Sequence, residues 1–439
     1  MLVSLFLMGC SQPGGIDCST VTVDNEAHTN IATLSWSSAL AGTSSVTYTV
    51  DGQATTINAS ADESTEHVAV LRGLPALTDV SWSALTDVDG EASICEGVLT
   101  TRNLPAGFPQ LEITVSESGQ SSEPYMLGLA QAGDSTYPFI LDRSGQWVWY
   151  WPDNQIESSM HGERAADGNG LMLSSFAFER TVDEGMVYRV SATGEELDTY
   201  RMTLGHHVFD QVPHAELSYL AIDVREWTNG LGNVEPVVGD AIVEIQDGQE
   251  VTIFSTWDWA EPEEHEEWTS TFYPQGRDWT HANSLHYDPD DNTYLISLAY
   301  PRTILQVDAT SGEVVDEISA ETRTLTDETL GFREQHDVRW TEEGTLMAFN
   351  HYAGQSGCVE YEVTAETLTP IWTHGLEESI VGTIQGQCYR LENGNTLVNF
   401  GGAGIVREVT PGGEVVWEVQ SGLGAWVSNV EMFSDIYSF

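Results

Sequence analysis

The 439-residue sequence predicts an all-β protein, a six-bladed β-propeller preceded by a small β-sandwich. Three observations carry that expectation. From about Tyr125 onward there is no long helical periodicity. A motif recurs in that region, as HGERAADGNGLML from His161, HDVRWTEEGTLMAF from His336 and QCYRLENGNTLVNF from Gln387. Each copy opens on His or Gln, carries Arg three residues later, and passes through an acidic turn ending in Gly to an apolar strand. Residues 18–103, finally, are short alternating runs divided by turn pairs such as Asp51-Gly52 and Asp89-Gly90.

Residues 1–17 open with MLVSLFLMGC. The apolar run Leu2 to Met8 is too short to span a bilayer and reads as a truncated signal-peptide core. Leu7-Met8-Gly9-Cys10 resembles a bacterial lipobox, so Cys10 is expected to carry lipid and tether the chain without crossing the membrane. Ser11 in place of Asp favours the outer membrane. The expectation is an exported bacterial lipoprotein on the periplasmic or cell-surface side of that membrane. In residues 18–103, Trp36, the LRGLPALTDVSWSAL run and the ICEGVLTT strand resemble a fibronectin type III or related immunoglobulin-like module. Residues 104–124, rich in Pro, Gly and Ser, read as a linker.

Residues 125–439 form the propeller expectation. HVFDQVPHAELSYLAI from His207 and HANSLHYDPDDNTYLI from His281 are looser copies of the motif, and the strand near PYMLGLA at Tyr125 is the candidate sixth unit. Hairpins such as VYRVSATGEELDTY, ILQVDATSGEVVDEI and VREVTPGGEVVWEV follow, with Gly where the turn needs positive φ. Four short strands per repeat suggest propeller blades, whose first strands line a central channel. His161, His207, His281 and His336 then point towards one volume. Grouped histidines have to be hydrated, hydrogen-bonded or bound to something.

Composition narrows the partners. The net charge is −53, from 68 acidic residues against 15 basic ones, all of them Arg. Such a surface repels nucleic acid and anionic lipid headgroups, and suits solubility in salty surroundings. Of five cysteines, Cys18 and Cys95 bracket the sandwich while Cys358 and Cys388 lie near the C-terminus. An exported chain with those positions predicts the two disulfides Cys18–Cys95 and Cys358–Cys388.

At Asp278-Trp279-Thr280-His281-Ala282-Asn283-Ser284, Gln335-His336-Asp337 and His206-His207-Val208 the chain resembles the bacterial arylsulfate sulfotransferases (ASST). The resemblance covers roughly residues 125–439. It implies sulfuryl transfer from an aryl sulfate to a phenol, with no cofactor and no metal, by ping-pong kinetics through a sulfohistidine. His336 would be the nucleophile. His281 and Asn283 would bind sulfate oxygens, with His281 also carrying charge at the leaving phenolate. His207 would be the general acid or base. His206 suits that role less well by register, and His161 enters only through the repeat; both are candidate substrate-binding residues. The family pattern has an Arg after the DW-x-H-x-NS strand where Ala299 stands here. Arg302 is the candidate to replace it, with Arg339 and Arg164 as further cations.

Two rival readings remain open on the residues alone. The histidines could ligate a metal, or the propeller could bind a ligand without chemistry. The expected partners are a small aromatic sulfate donor and a phenolic acceptor, not nucleic acid; a homodimer is left open. DPDDN, Asp288 to Asn292, reads as a solvated hairpin rather than a calcium loop. EPEEHEEW, Glu261 to Trp268, reads as an exposed insertion, whose Trp268, with Trp257, Trp259 and Tyr273, could cover the channel mouth and stack on an aromatic substrate.

Overall fold

The structure is a computed structural model. It describes all residues except 1–14, 27, 118, 119, 122, 134, 152–159, 177–184, 263–271 and 423. Cys10 and Trp268 therefore lie outside the described residues. The chain is all-β and divides into two compact units. One comprises Met1–Phe108, Phe139–Pro152 and Asp435–Tyr437, and the other Pro109–Pro138, Asp153–Ser434 and Ser438–Phe439. Phe139–Pro152 and Asp435–Tyr437 thus cluster with the N-terminal residues, although their sequence position puts them in the 125–439 region.

The first unit is built on a five-stranded antiparallel sheet of Thr22–Asp24, Ala32–Val50, Gln53–Leu71, Asp79–Val88 and Glu91–Thr100. Side chains alternate along a strand, so Leu34, Trp36, Val46, Tyr48, Val80, Trp82 and Ala84 all fall on one buried face. Gly97 is required there, because a Cβ on it would lie 2.4 Å from the Trp82 ring. Cys18 and Cys95 are disulfide-bonded across this face, with Cα atoms 5.6 Å apart.

The second unit is a succession of antiparallel meanders. Gly162–Arg164, Leu171–Ser175, Gly185–Val190 and Glu196–Met202 form the first sheet. Gly205–Asp210, Leu217–Thr228, Val234–Gln246 and Gln249–Ser255 form the second, with Arg277–Asp278 added in parallel to its third strand. Ala282–Asp288, Thr293–Leu298, Thr303–Asp308 and Val314–Ile318 make the third. The fourth runs His336–Trp340, Leu346–Tyr352, Gln355–Val363 and Thr367–His374, and the fifth Gln387–Arg390, Thr396–Asn399, Ile405–Val409 and Val415–Ser421. Leu111–Ser116 pairs onto the outer strand of the fifth sheet, and Ala425–Phe433 pairs with Tyr125–Ala132. The acidic-Gly turns of the repeat are the first hairpin loops, with Gly344 and Gly394 at φ 78° and 85° where a Cβ is disfavoured.

Neighbouring first strands are stapled by side chains onto backbone N–H groups. Gln211 Oε1 accepts from Ala166 N, Asp210 Oδ2 from Tyr287 N, and Ser284 Oγ from Val338 N. Asp337 Oδ2 accepts from Cys388 N, Gln387 Oε1 from Val430 N, and Asn429 Oδ1 from Gly162 N, which returns the ring to the first sheet. Apolar cores fill the spaces between sheets. Val208, Ile242, Leu285 and Ile296 pack between the second and third, and Met347, Phe349, Val398 and Phe400 between the fourth and fifth. Fully burying a Leu or Phe side chain contributes about 1.5–3 kcal/mol, so these contacts hold the first strands in place. The Cys358–Cys388 disulfide, Cα–Cα 6.0 Å, crosses that last core.

Candidate active site

The first strands break the regular two-residue alternation at equivalent places. Register shifts fall between His206 and Phe209, between Ala282 and Ser284, between His336 and Arg339, and between Val427 and Val430. His207, His281 and Asp337 adopt φ of 55°, 48° and 49°. A bulge with a non-glycine left-handed residue is strained, and it re-aims side chains that a regular strand would point elsewhere. Here the re-aimed His207 and Asp337 border a cavity lined also by His161, Asn283, His336, Gln385, Ser428 and Asn429, among others. His281 stands against His207, ring centroids 5.1 Å apart and nearly perpendicular.

His336 is held by a bond from Nδ1 to the Glu334 carbonyl at 2.8 Å. A carbonyl only accepts, so Nδ1 carries the hydrogen and Nε2 is the lone pair. Burial, with the neighbouring His351 and His281, keeps this imidazole neutral to well below its usual pKa. His351 meets it edge-on at 5.0 Å, and is itself fixed by the Gln385 carbonyl and Ser356 Oγ.

His281 is the opposite case. Its Nδ1 lies 2.6 Å from Oδ2 of the fully buried Asp278, whose Oδ1 accepts the His281 N–H. Burial works against its charge, but the carboxylates of Asp278, Asp240 and Glu334 prevail and raise its pKa above the ordinary value. His207 is pushed well below, by burial first and then by His206, His281 and His336. Two imidazoles thus stay neutral beside one that favours the cation. Phe272 stacks on His207 at 5.9 Å and Tyr300 on His281 at 4.9 Å, giving the group an aromatic surround.

Two amides complete the cavity. Asn283 is 7% exposed and, among the described residues, neither its Oδ1 nor its Nδ2 finds a partner; Gln385, 8% exposed, likewise leaves Oε1 and Nε2 unpaired among them. A buried amide with no partner costs about 1–3 kcal/mol, which a ligand's polar atoms can relieve.

The cavity brings together His161, His207, Asn283 and His336; His281, expected with them, is not among its lining residues and stands behind, against the His207 ring. His206 does not face it: it is fully buried behind His207, with Nε2 3.0 Å from Asp240 Oδ1. Arg302 does not line it either. It sits at φ 55° beside Ala299 and lines a separate cavity with Arg323 and Arg333. Arg339 pairs with Asp337 and Arg164 with Glu431, and both line a second cavity adjoining the first through His161, His286, Gln387 and Asn429. No Lys or Arg is found among the described lining residues of the histidine cavity. Trp257 and Trp259 pack on Trp279, away from it, while Tyr273 is buried against His206. DPDDN is a hairpin loop in which Asp288 Oδ1 accepts from the N–H groups of Asp290 and Asp291.

Sequence reasoning missed Gln385, His351, Ser428 and Asn429, and the supporting carboxylates Asp240 and Asp278. AWVSNVEMF, rather than PYMLGLA, is the strand that brings residues of the last sheet to the cavity. The one available signal was Ser428-Asn429, a polar pair inside an apolar run.

Fold and site together define an all-β protein of repeated antiparallel sheets with a polyhistidine cavity among their first strands. The chain belongs to the arylsulfotransferase (ASST) family, whose model matches residues 112–436. No curated protein matches the sequence. Similar solved structures include a protein of unknown function from Bacteroides caccae, with 13% identity and TM-score 0.42, covering 70% of this chain and 98% of that one. A putative 6-phosphogluconolactonase from Bacteroides fragilis is similar at 14% identity and TM-score 0.43, covering 72% and 99%. A periplasmic gluconolactonase from Pseudomonas aeruginosa is similar at 13% and TM-score 0.38, covering 80% and 95%. Likenesses this distant define neither an architecture nor an activity.

Proposed function

We propose that the protein is an aryl sulfotransferase that moves a sulfuryl group from an aryl sulfate to a phenol through a sulfohistidine at His336. The observation that carries this reading is the His336–Glu334 bond, which leaves a neutral imidazole with its Nε2 lone pair at the cavity. Family membership supports the same activity.

In the first half-reaction Nε2 attacks sulfur, the N–S bond forms, and the S–O bond to the phenolate breaks. The phenolate takes a proton from His207. Asn283 and Gln385 supply the unpaired amides for sulfate oxygens, with His161 as a further contact. In the second half-reaction an acceptor phenol returns the proton, attacks sulfur and frees His336. The His281 imidazolium supplies the positive charge that the family's Arg would bring. No nucleotide or metal enters these steps.

The ring of stapled first strands supports a six-bladed propeller for this unit; the sandwich reading of the N-terminal unit rests on its sequence pattern. The two disulfides support export; Cys10 as a lipid anchor and the outer membrane as location rest on the lipobox resemblance and Ser11. The lack of Lys or Arg among the described lining residues favours, as a second reading, ligand binding without transfer. One assay separates the two. A fluorogenic aryl sulfate is mixed with the soluble chain, with and without a phenol acceptor, beside His336→Asn. Phenol-dependent release lost in the variant is expected; binding without release by the intact protein, over a panel of donors, overturns the proposal.

A further inference from the structure

We propose that His206 and Asp240, neither of which lines the cavity, act through His207 as a buried carboxylate–imidazole–imidazole relay that stores the proton exchanged with the phenol oxygen. The inference rests on the aryl sulfotransferase reading.

The geometry admits few proton arrangements. The His206 and Asp240 side chains are both 0% exposed, and His206 Nε2 lies 3.0 Å from Asp240 Oδ1, off the line of a regular hydrogen bond. His206 Nδ1 lies 2.8 Å from His207 Nδ1. Two lone pairs, or two N–H groups, would repel at that separation, so one ring donates and the other accepts. A lone pair on His206 Nε2 would face the carboxylate oxygen at 3.0 Å and be repelled, so Nε2 carries a hydrogen. When both rings are neutral, His207 Nδ1 must donate to His206 Nδ1. His207 Nε2 is then a lone pair, and His207 lines the cavity.

This arrangement accepts a proton in one concerted shift. A phenol O–H gives its proton to His207 Nε2 and an N–H bond forms there. The His207 Nδ1 hydrogen passes to His206 Nδ1, and the positive charge rests on His206 beside Asp240. Loaded with that proton, the relay runs the reverse shift in the first half-reaction and delivers it from His207 Nε2 to the leaving phenolate; the acceptor phenol reloads it in the second. No electrons are gained or lost.

The surroundings favour that destination. His207 faces His206, His281 and the Phe272 ring, and a charge on it is opposed by three other imidazoles. His206 faces His207, the Tyr273 ring and Asp240. Burial opposes charge on Asp240, but His206 first, then Thr280 Oγ1 at 2.5 Å and Ala282 N at 2.7 Å donating to Oδ2, hold its carboxyl below the usual range. Those donors flank His281, so one peptide segment holds the carboxylate and positions the next histidine. The αL conformation of His207, φ 55°, turns two consecutive side chains of one strand towards each other, which regular alternation forbids.

The test uses the full chain, His206→Gln and Asp240→Asn, with aryl sulfates whose leaving phenols are graded in acidity. Loss of general acid assistance is expected to lower kcat/KM by about 10²-fold for the least acidic phenol and only a few-fold for the most acidic. A loss of equal size across the series means a structural role only and overturns the proposal. A second readout does not need turnover. In the ¹⁵N-histidine protein, a scalar coupling between the two Nδ1 atoms is expected in the wild type and in His336→Asn, and its disappearance in His206→Gln. No coupling in the wild type overturns the relay even if sulfuryl transfer is intact. Coupling without any sulfuryl transfer leaves the hydrogen-bonded relay standing and sinks the sulfotransferase reading instead.

Discussion

His336 and Glu334 are joined across a single intervening residue, the imidazole Nδ1–H donating to the Glu334 carbonyl at 2.8 Å. Glu334 is itself left-handed, φ 42°, which brings its carbonyl back to the ring of the residue two ahead. One backbone group therefore decides which nitrogen of the nucleophile is reactive. His336→Asn removes the lone pair and is expected to abolish turnover, a loss of 10⁴-fold or more on the order of other removed nucleophiles. Mass spectrometry of the intact protein treated with donor alone checks it. The wild type should gain one SO₃ group and the variant none.

The pH profile should report His281. Asp278 raises its pKa, so the cation persists above pH 6.5 and is lost only as pH rises through the raised value. kcat/KM is expected to fall on that alkaline side. Asp278→Asn removes the carboxylate bonded to His281 Nδ1, so the fall should move to lower pH. An alkaline limb unmoved by Asp278→Asn would show that another group sets it. His336, depressed well below 6.5, keeps the nucleophile neutral on the acid side.

Asn283 offers a test of ligand binding separate from folding. Its amide has no partner among the described residues, so Asn283→Ala removes no hydrogen bond to them. Stability should hold or rise by up to about 1–3 kcal/mol, while the donor loses one or two hydrogen bonds, about 1–3 kcal/mol or roughly 5- to 150-fold in kcat/KM. Urea denaturation beside steady-state kinetics makes the comparison. A large drop in stability with unchanged kinetics contradicts the assignment.

Acid should weaken the N-terminal unit through His28. Burial, with Arg102 adding to it, lowers its pKa from 6.5 to about 4, against the Tyr150 carbonyl bond that favours the charge. The folded value lies below the unfolded one. The contribution is therefore complete above pH 6.5 and is lost as pH falls towards 4, by about 3 kcal/mol at 1.4 kcal/mol per unit. His374 in the other unit is also lowered to about 4 and adds a term of the same sign. His28→Gln should be less stable at pH 7 but should lose less between pH 7 and 4. Denaturant midpoints at several pH values, followed in both proteins, would reveal an unchanged slope if the account of His28 is wrong.

The Cys358–Cys388 bond closes a loop of sequence separation 30 across the core between the fourth and fifth sheets. Reducing it, or replacing both cysteines with Ala, is expected to cost about 3 kcal/mol, mainly by freeing the unfolded chain. Thermal melts with and without reductant measure it, and equal melting temperatures would contradict it.

Much of this was legible in the residues because it is local or periodic. The Gly-ended turns, the alternating strands and the recurring His or Gln heads follow from backbone preferences within a few residues. His161, His207 and His336 meet at one cavity because the repeat places them at equivalent strand heads. Both disulfides follow from cysteines that bracket separate regions. The strand Ala425–Phe433 was less visible, since its polar Ser428-Asn429 pair has no repeat partner in sequence.

The sequence by itself determined the all-β class, the family segment, the two cysteine pairings and the identity of His336, His281, His207 and Asn283 as candidates. Tertiary structure alone decided what each does with its protons. His206 and His207 are neighbours that alternation would send to opposite faces, yet their Nδ1 atoms meet at 2.8 Å because one residue is left-handed. Arg302 is near Ala299 in sequence but turns into another cavity. Asp240 lies far along the chain from His206 and meets it only through the pairing of strands. Hydrogen bonding and charge act over a few ångströms in space, and sequence spacing does not measure that distance once bulges and sheet pairing intervene.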